Sequence, residues 1–318
     1  MNNSLLIKYQ CLTHSEKNIL YSISVLPDQW LTIKDLYVLF NLKTDTPAGL
    51  NFFDSLSNLK SKGWLLFNKD AYKMNRAAKN ILYAGHKPEA VFFKRIIKTV
   101  GDHFSKPVNA DTGKDYLLIA DNIFKNITGP TKQIVKLAET ISLYFHKQKA
   151  KKKALLYSLA AVKFQELVNN ADENMCRVYV RRAVILQWAK LYNQAEEAAL
   201  ECIKIGLSEK EDTRNIQAAY GILSSIYLNT KNYSKSIECA SNAVHASFFH
   251  GCSQFTPLSL CRYNAAYSYF KLGDFESAAD QICKAYNEFC FENRRIPRFF
   301  SILNLNRLRF LLKKRLNS

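Results

Sequence analysis

With 318 residues, 48% of them hydrophobic and 23% charged, the chain has length for about two full cores and is too apolar to be disordered. No stretch approaches the ~18 uninterrupted apolar residues of a membrane helix, and Met1-Asn2-Asn3-Ser4-Leu5 lacks the basic head and apolar run of a secretory leader, so neither is expected. A formal net charge of +18 leaves nucleic acid, anionic membrane and acidic protein surfaces open as partners on charge alone.

In chain order, Ser15-Glu16 opens a first helix carrying Ile19, Leu20, Ile23 and Val25-Leu26, which Pro27 stops. Thr32 caps a second (Ile33, Leu36, Leu39, Phe40), with Asp35 at the capping-box position. A third, Leu50 to Lys62, sets Leu50, Phe53, Leu56 and Leu59 on one face and ends at Gly63. That leaves Asn51, Asp54, Ser55, Asn58 and Lys62 as its exposed face. Trp64-Leu65-Leu66-Phe67 and Ala71-Tyr72-Lys73-Met74 read as strands around an Asn68-Lys69-Asp70 turn, and a short helix follows from about Arg76 to Tyr83. Three helices and a two-stranded wing make a winged helix, assigned to residues 1–87.

Leu12-Thr13 through Leu26-Pro27, Leu56-Ser57-Asn58-Leu59, Lys62-Gly63-Trp64-Leu65 and Tyr72-Lys73-Met74 resemble the winged-helix segment of STAND-type signalling NTPases, which include NB-ARC-like immune receptors. The resemblance implies a module that follows an ATPase core and precedes repeats. Two departures stand out: the chain has no GxxxxGK[ST] phosphate loop, and Asn75-Arg76 stand where the family often has the His that touches nucleotide. Arm and repeats without the ATPase is what remains, and neither ATP nor any other cofactor is expected. Winged helices also bind DNA, and Asn58, Lys60, Lys62, Lys69 and Lys73 are the candidate nucleic-acid contacts here. No arginine on the third helix could read guanine and Asp54 would face phosphate, so nucleic acid is possible but not favoured.

From about Pro88 onward the pattern is helical pairs, assigned to residues 88–318. Three ladders descend the chain in steps of 41, 41 and 42: Ala161, Cys202, Ala243, Ala285; then Ala154, Ala195, Ser236, Ala278; and Phe145, Leu186, Tyr227, Tyr269. Small residues let helices approach and a larger one fills the space beside them, as in stacked helical hairpins. Phe104 with Ala120 is a still earlier candidate copy. Lys147, Lys149, Lys151, Lys152 and Lys153 read as a solvated bend, and His245 to Thr256 as a long connection. Ala265-Ala266-Tyr267-Ser268-Tyr269, Leu272-Gly273-Asp274-Phe275, Ala278-Ala279 and Ala285-Tyr286 resemble the tetratricopeptide repeat, at a period longer than the family's usual one. The fold class is therefore mainly α: an N-terminal winged helix followed by a right-handed α-solenoid of tetratricopeptide-like hairpins, with Phe299 to Leu316 as a capping helix.

The resemblance implies that the first helix of each pair lines an inner groove. In the repeat register this puts Arg177, Arg181 and Trp188 there, then Asn229, then Tyr263, Asn264, Tyr267 and Lys271, and finally Asn304 from the capping helix. Arginine and aromatic residues dominate interface hot spots, and asparagine can clamp an extended backbone. Eight cysteines without a CxxC pair point to buried free thiols in a reducing compartment, the cytoplasm. His245, His250, Cys252 and Cys261 fit no metal signature, and no catalytic motif is present, so no metal site and no enzyme is expected. The functional expectation is an adaptor or regulator whose groove takes a protein or peptide. The alternatives are a DNA-binding regulator with a repeat-domain sensor, and the arm of a split STAND-type ATPase.

Overall fold

In the computed structural model, residues 7–85, 89–105, 113–168, 173–209, 213–250 and 257–292 are described. Asn304, the expected capping helix and Cys252 lie outside them, as do the side chains of His250 and Cys290. The chain divides into two compact units, residues 1–169 and 170–318.

After a helical stretch at residues 7–10, unit 1 continues with α1 (His14–Ser24), which starts earlier than expected because Thr13 is its cap. The Glu16 N–H donates to the Thr13 hydroxyl and the Thr13 N–H donates to the Glu16 carboxylate, a reciprocal box. The expected box of Thr32 and Asp35 starts α2 (Ile33–Leu39). Thr46 caps α3 (Pro47–Ser61), and Pro47 at the first helical position gives up an N–H that has no partner there anyway.

The buried face of α3 differs from the expected one. Phe52, Leu56 and Leu59 point inward with Ser55, only 8% exposed, while Leu50 (58% exposed) and Phe53 (44%) point out. Two phenylalanines in tandem offered two registers, and packing against Tyr37 and Phe40 selected Phe52.

A strand the sequence did not announce, β1 (Leu31–Thr32), joins the hairpin of β2 (Leu65–Asn68) and β3 (Ala71–Met74) in an antiparallel sheet of order β1-β3-β2. The register pairs Leu31 with Tyr72, and Asn68 with Ala71. Lys69 takes a positive φ of 55° in the turn. Trp64, Leu20, Leu36, Leu56 and Leu59 form the centre of this part. Asn75 caps α4 (Arg76–Gly85): its side-chain oxygen accepts from the Ala77 N–H and its amide donates to the Gly63 carbonyl. A 3₁₀ turn (Ala90–Phe93) and α5 (Lys94–Ser105), α6 (Gly113–Asn126), α7 (Lys132–Lys147) and α8 (Lys151–Leu167) complete unit 1.

Among its described residues unit 2 contains three consecutive helical pairs: α9 (Glu173–Trp188) with α10 (Tyr192–Glu209), α11 (Thr213–Asn229) with α12 (Tyr233–His250), and α13 (Leu258–Leu272) with α14 (Phe275–Glu292). α12 therefore continues through the first residues of what was expected to be a long connection. Each pair turns on one left-handed residue: Lys190 (φ 62°), Lys231 (63°) and Gly273 (86°), with Lys149 (57°) doing the same between α7 and α8. The next N–H then reaches back to a carbonyl five residues earlier, Leu191 to Leu186 at 2.9 Å, Asn232 to Tyr227 at 2.8 Å and Asp274 to Tyr269 at 3.1 Å. This satisfies a carbonyl at the helix end that would otherwise lack a partner. The Leu186, Tyr227, Tyr269 ladder thus marks those acceptors.

The other two ladders are packing positions. Ala195, Ser236 and Ala278 are fully buried in the first turn of each second helix. There the Ser236 hydroxyl donates across the pair to the Ser224 carbonyl at 2.9 Å. Ala243 packs with Ala240, Cys261 and Ala265 between α12 and α13, and Ala285 with Ala266, Ala278 and Ile282.

Candidate functional site

In unit 2 the first helices of successive pairs touch one another, α9 with α11 and α11 with α13. The second helices α10, α12 and α14 make no comparable contact among the described residues. The first helices therefore form the inner side of the curve. Steps of 41 and 42 make Trp188, Asn229 and Lys271 equivalent, and likewise Val184, Ser225 and Tyr267. Residues three, four, seven or eleven apart share one stripe of a helix.

On α9, Arg177, Arg181 and Trp188 occupy one such stripe and are half-buried. On α13, the Tyr263 and Tyr267 rings lie 6.2 Å apart, and the Lys271 ammonium sits 5.3 Å from the Tyr267 ring centre. Both tyrosines also pack on the Ala266, Ala278, Ile282 cluster, so part of each ring holds α13 to α14. Between these flanks α11 offers small groups. Ser225 is the hub: its hydroxyl accepts from the Asn264 amide at 2.8 Å and donates to the Gly221 carbonyl, and its carbonyl accepts from the Asn229 amide at 2.7 Å. Asn264 is only 2% exposed, so its amide works between α11 and α13. Asn229 and Lys271 are exposed. Ser225 was missed from the sequence, although its equivalence to Tyr267 in the 42-residue step would have found it.

The outer side is closed by contrast. Arg262 turns away from that stripe and donates to Glu288 and Gln281 of α14. The Tyr227 hydroxyl donates to Glu196 at 2.6 Å, and burial followed by that carboxylate pushes the phenol up. Burial pushes the Cys239 thiol up to about 12, with Glu238 adding to it, which leaves it a poor nucleophile. Cys176, Cys202, Cys239 and Cys261 are buried free thiols, whereas Cys11 and Cys283 are exposed. No cluster of His, Cys, Asp or Glu among the described residues could hold a metal ion.

In unit 1, Lys62 is tied to Glu16 at 3.1 Å and Lys73 to Asp28 at 3.1 Å. The Lys60 ammonium lies 4.0 Å from the Phe67 ring centre. Asn58 and Lys69 are exposed.

No protein-family model and no curated protein matches this chain. Solved structures do. BtubC (BKLC) from P. vanneervenii aligns with a TM-score of 0.52 at 14% identity, over 66% of this chain and 85% of that one. Putative kinesin light chain TPR-like repeats from Podosopora anserina align at 0.49 and 10% identity, over 63% and 96%. A STAND protein with a tetratricopeptide repeat sensor from Pyrococcus horikoshii aligns at 0.44 and 15% identity, over 92% of this chain and 54% of that one. The last two are described as tetratricopeptide-repeat or TPR-like proteins, and this chain is mostly helical.

Proposed function

We propose that the chain is a non-enzymatic adaptor or regulator of the cytoplasm, which binds an extended protein segment along the first helices of its TPR-like repeats. The observation that carries this reading is the in-register stripe on α9, α11 and α13. Arg177, Arg181 and Trp188 flank it on one side, Tyr263, Tyr267 and Lys271 on the other, and the small Ser225 hub lies between them. Large hot-spot side chains around a low floor suit a peptide backbone, whose amides exposed Asn229 can pair with.

Residues 1–87 we read as a winged-helix module, supported by the order helix, strand, two helices, hairpin and by the third strand. Its use in protein docking is better supported than DNA reading. Leu50 and Phe53 project from the helix that would enter a groove, and two of the five candidate contacts, Lys62 and Lys73, are already in ion pairs. Asn75 in its capping role agrees with an arm that no longer faces nucleotide. The split-ATPase reading rests on the sequence resemblance alone.

The test is calorimetry with an extended peptide selected on the full chain from a display library. Trp188→Ala or Lys271→Ala is expected to weaken binding by about 1–2 kcal/mol, roughly tenfold, at an unchanged melting temperature for exposed Lys271. Unaltered affinity in both variants would sink the groove as the site.

A further inference from the structure

Unit 1 contains an open cleft of about 610 Å³ that the repeat groove does not use. Ligand sites fall in the range of ~300–1,000 Å³, whereas ordinary interiors are close-packed with few voids larger than a water molecule. Its floor is apolar: Ile19, Phe40, Phe52 and Ile96 are all buried. The walls are held before any ligand arrives. Phe40 and Phe52 lie 4.7 Å apart, and Phe92 stacks on Tyr21 at 5.2 Å.

The rim has a single sign. His14, Lys94 and Arg95 stand there with Asn18 and Asn51, and no aspartate or glutamate lines the cleft among the described residues. Lys94 and Arg95 are exposed, and neither has an ion-pair or hydrogen-bond partner among the described residues. By comparison, Lys62 and Lys73 in the same unit are neutralised by carboxylates. An apolar floor beneath two unspent cations and two side-chain amides is complementary to one ligand chemistry.

We propose that this cleft binds a small amphipathic anion, a carboxylate or phosphate joined to an aromatic or short alkyl body. The body covers Phe40 and Phe52, displacing water from apolar surface. The head meets Lys94 and Arg95, where a planar guanidinium can hold two oxygens at once. Asn18 and Asn51 donate to whichever oxygens remain.

The probe is 8-anilinonaphthalene-1-sulfonate, an aromatic anion whose fluorescence rises in apolar surroundings, titrated into the full chain. Decanoate, decyl phosphate and 1-decanol serve as competitors. A saturable site is expected, weakened by added salt because exposed charges are screened. The exposed pair Lys94→Gln with Arg95→Gln is expected to reduce affinity about tenfold or more without lowering the melting temperature. Ala48→Trp, at an exposed wall of the cleft, is expected to block the probe by filling space. Displacement by decanoate, by decyl phosphate or by both supports the proposal and identifies the head group. Equal displacement by 1-decanol, or unchanged affinity in both variants, overturns it.

Discussion

Lys231 holds a backbone conformation that glycine would hold without strain. A side chain in the left-handed region crowds the following carbonyl, at a cost of roughly 1–2 kcal/mol. Lys149, Lys190 and Lys231 all sit there, and of these turns between paired helices among the described residues only that at Gly273 avoids the cost. Lys231→Gly is expected to stabilise the fold, but by less than that strain, because glycine also loosens the unfolded chain: about 0.5–1 kcal/mol net. Gly273→Ala is expected to lose about 1 kcal/mol through strain alone, since beyond the residue itself and its two chain neighbours no atom lies within 4 Å of the added carbon. Urea midpoints check both. Glu16 gives a pH test at the same scale. Burial alone would raise its pKa, but the Thr13 N–H and the Lys62 ammonium outweigh that and leave it below its ordinary value of 4.5. A carboxyl lowered by folding adds stability that is complete above its unfolded pKa and is lost as pH falls through the folded one. Melting temperature is therefore expected to hold from pH 7 to about 5 and to drop below 4.5. Lys62→Met is expected to lower it at pH 7 and to shrink the further loss on acidification.

Between helices, small residues set the spacing of the stack. Ala243 is fully buried against Ala240, Cys261 and Ala265, so Ala243→Leu is expected to overpack α12 against α13 and cost about 1–3 kcal/mol, read by thermal melting. The alanine ladders were legible in the sequence because only small residues serve where helices cross closely, and the choice repeats with each pair. The left-handed lysines were not legible, because lysine carries no turn signature and only Gly273 announced the position. The face of α3 was misread for a different reason. Leu50, Phe52 and Phe53 permit two amphipathic registers, and the aromatic ring of Phe40 on a neighbouring element decides between them. β1 is two residues long, too short for alternation to reveal, and it exists because β3 offers a partner edge. Asn264 was expected to line the groove, but it is buried at 2% exposure, and its tie to Ser225 depends on how α11 and α13 meet, which a repeat register leaves open.

For the whole chain, a net charge of +18 attracts acidic partners from a distance, but charge alone does not say where they dock. Local chemistry does that. In unit 2 the outer-side Arg262 is spent on Glu288, while the stripe on the first helices ends in exposed Asn229 and Lys271. The central claim is that a partner segment lies along that inner side. It is tested most directly by photo-crosslinking, with p-benzoylphenylalanine in place of Asn229 on α11 or of Glu238 on α12, both exposed. The ligand is the peptide selected on the wild-type chain, and mass spectrometry reads the adduct. Crosslinking from position 229 and not from 238 is the expected result; crosslinking from 238 alone, or equally from both, would contradict the account.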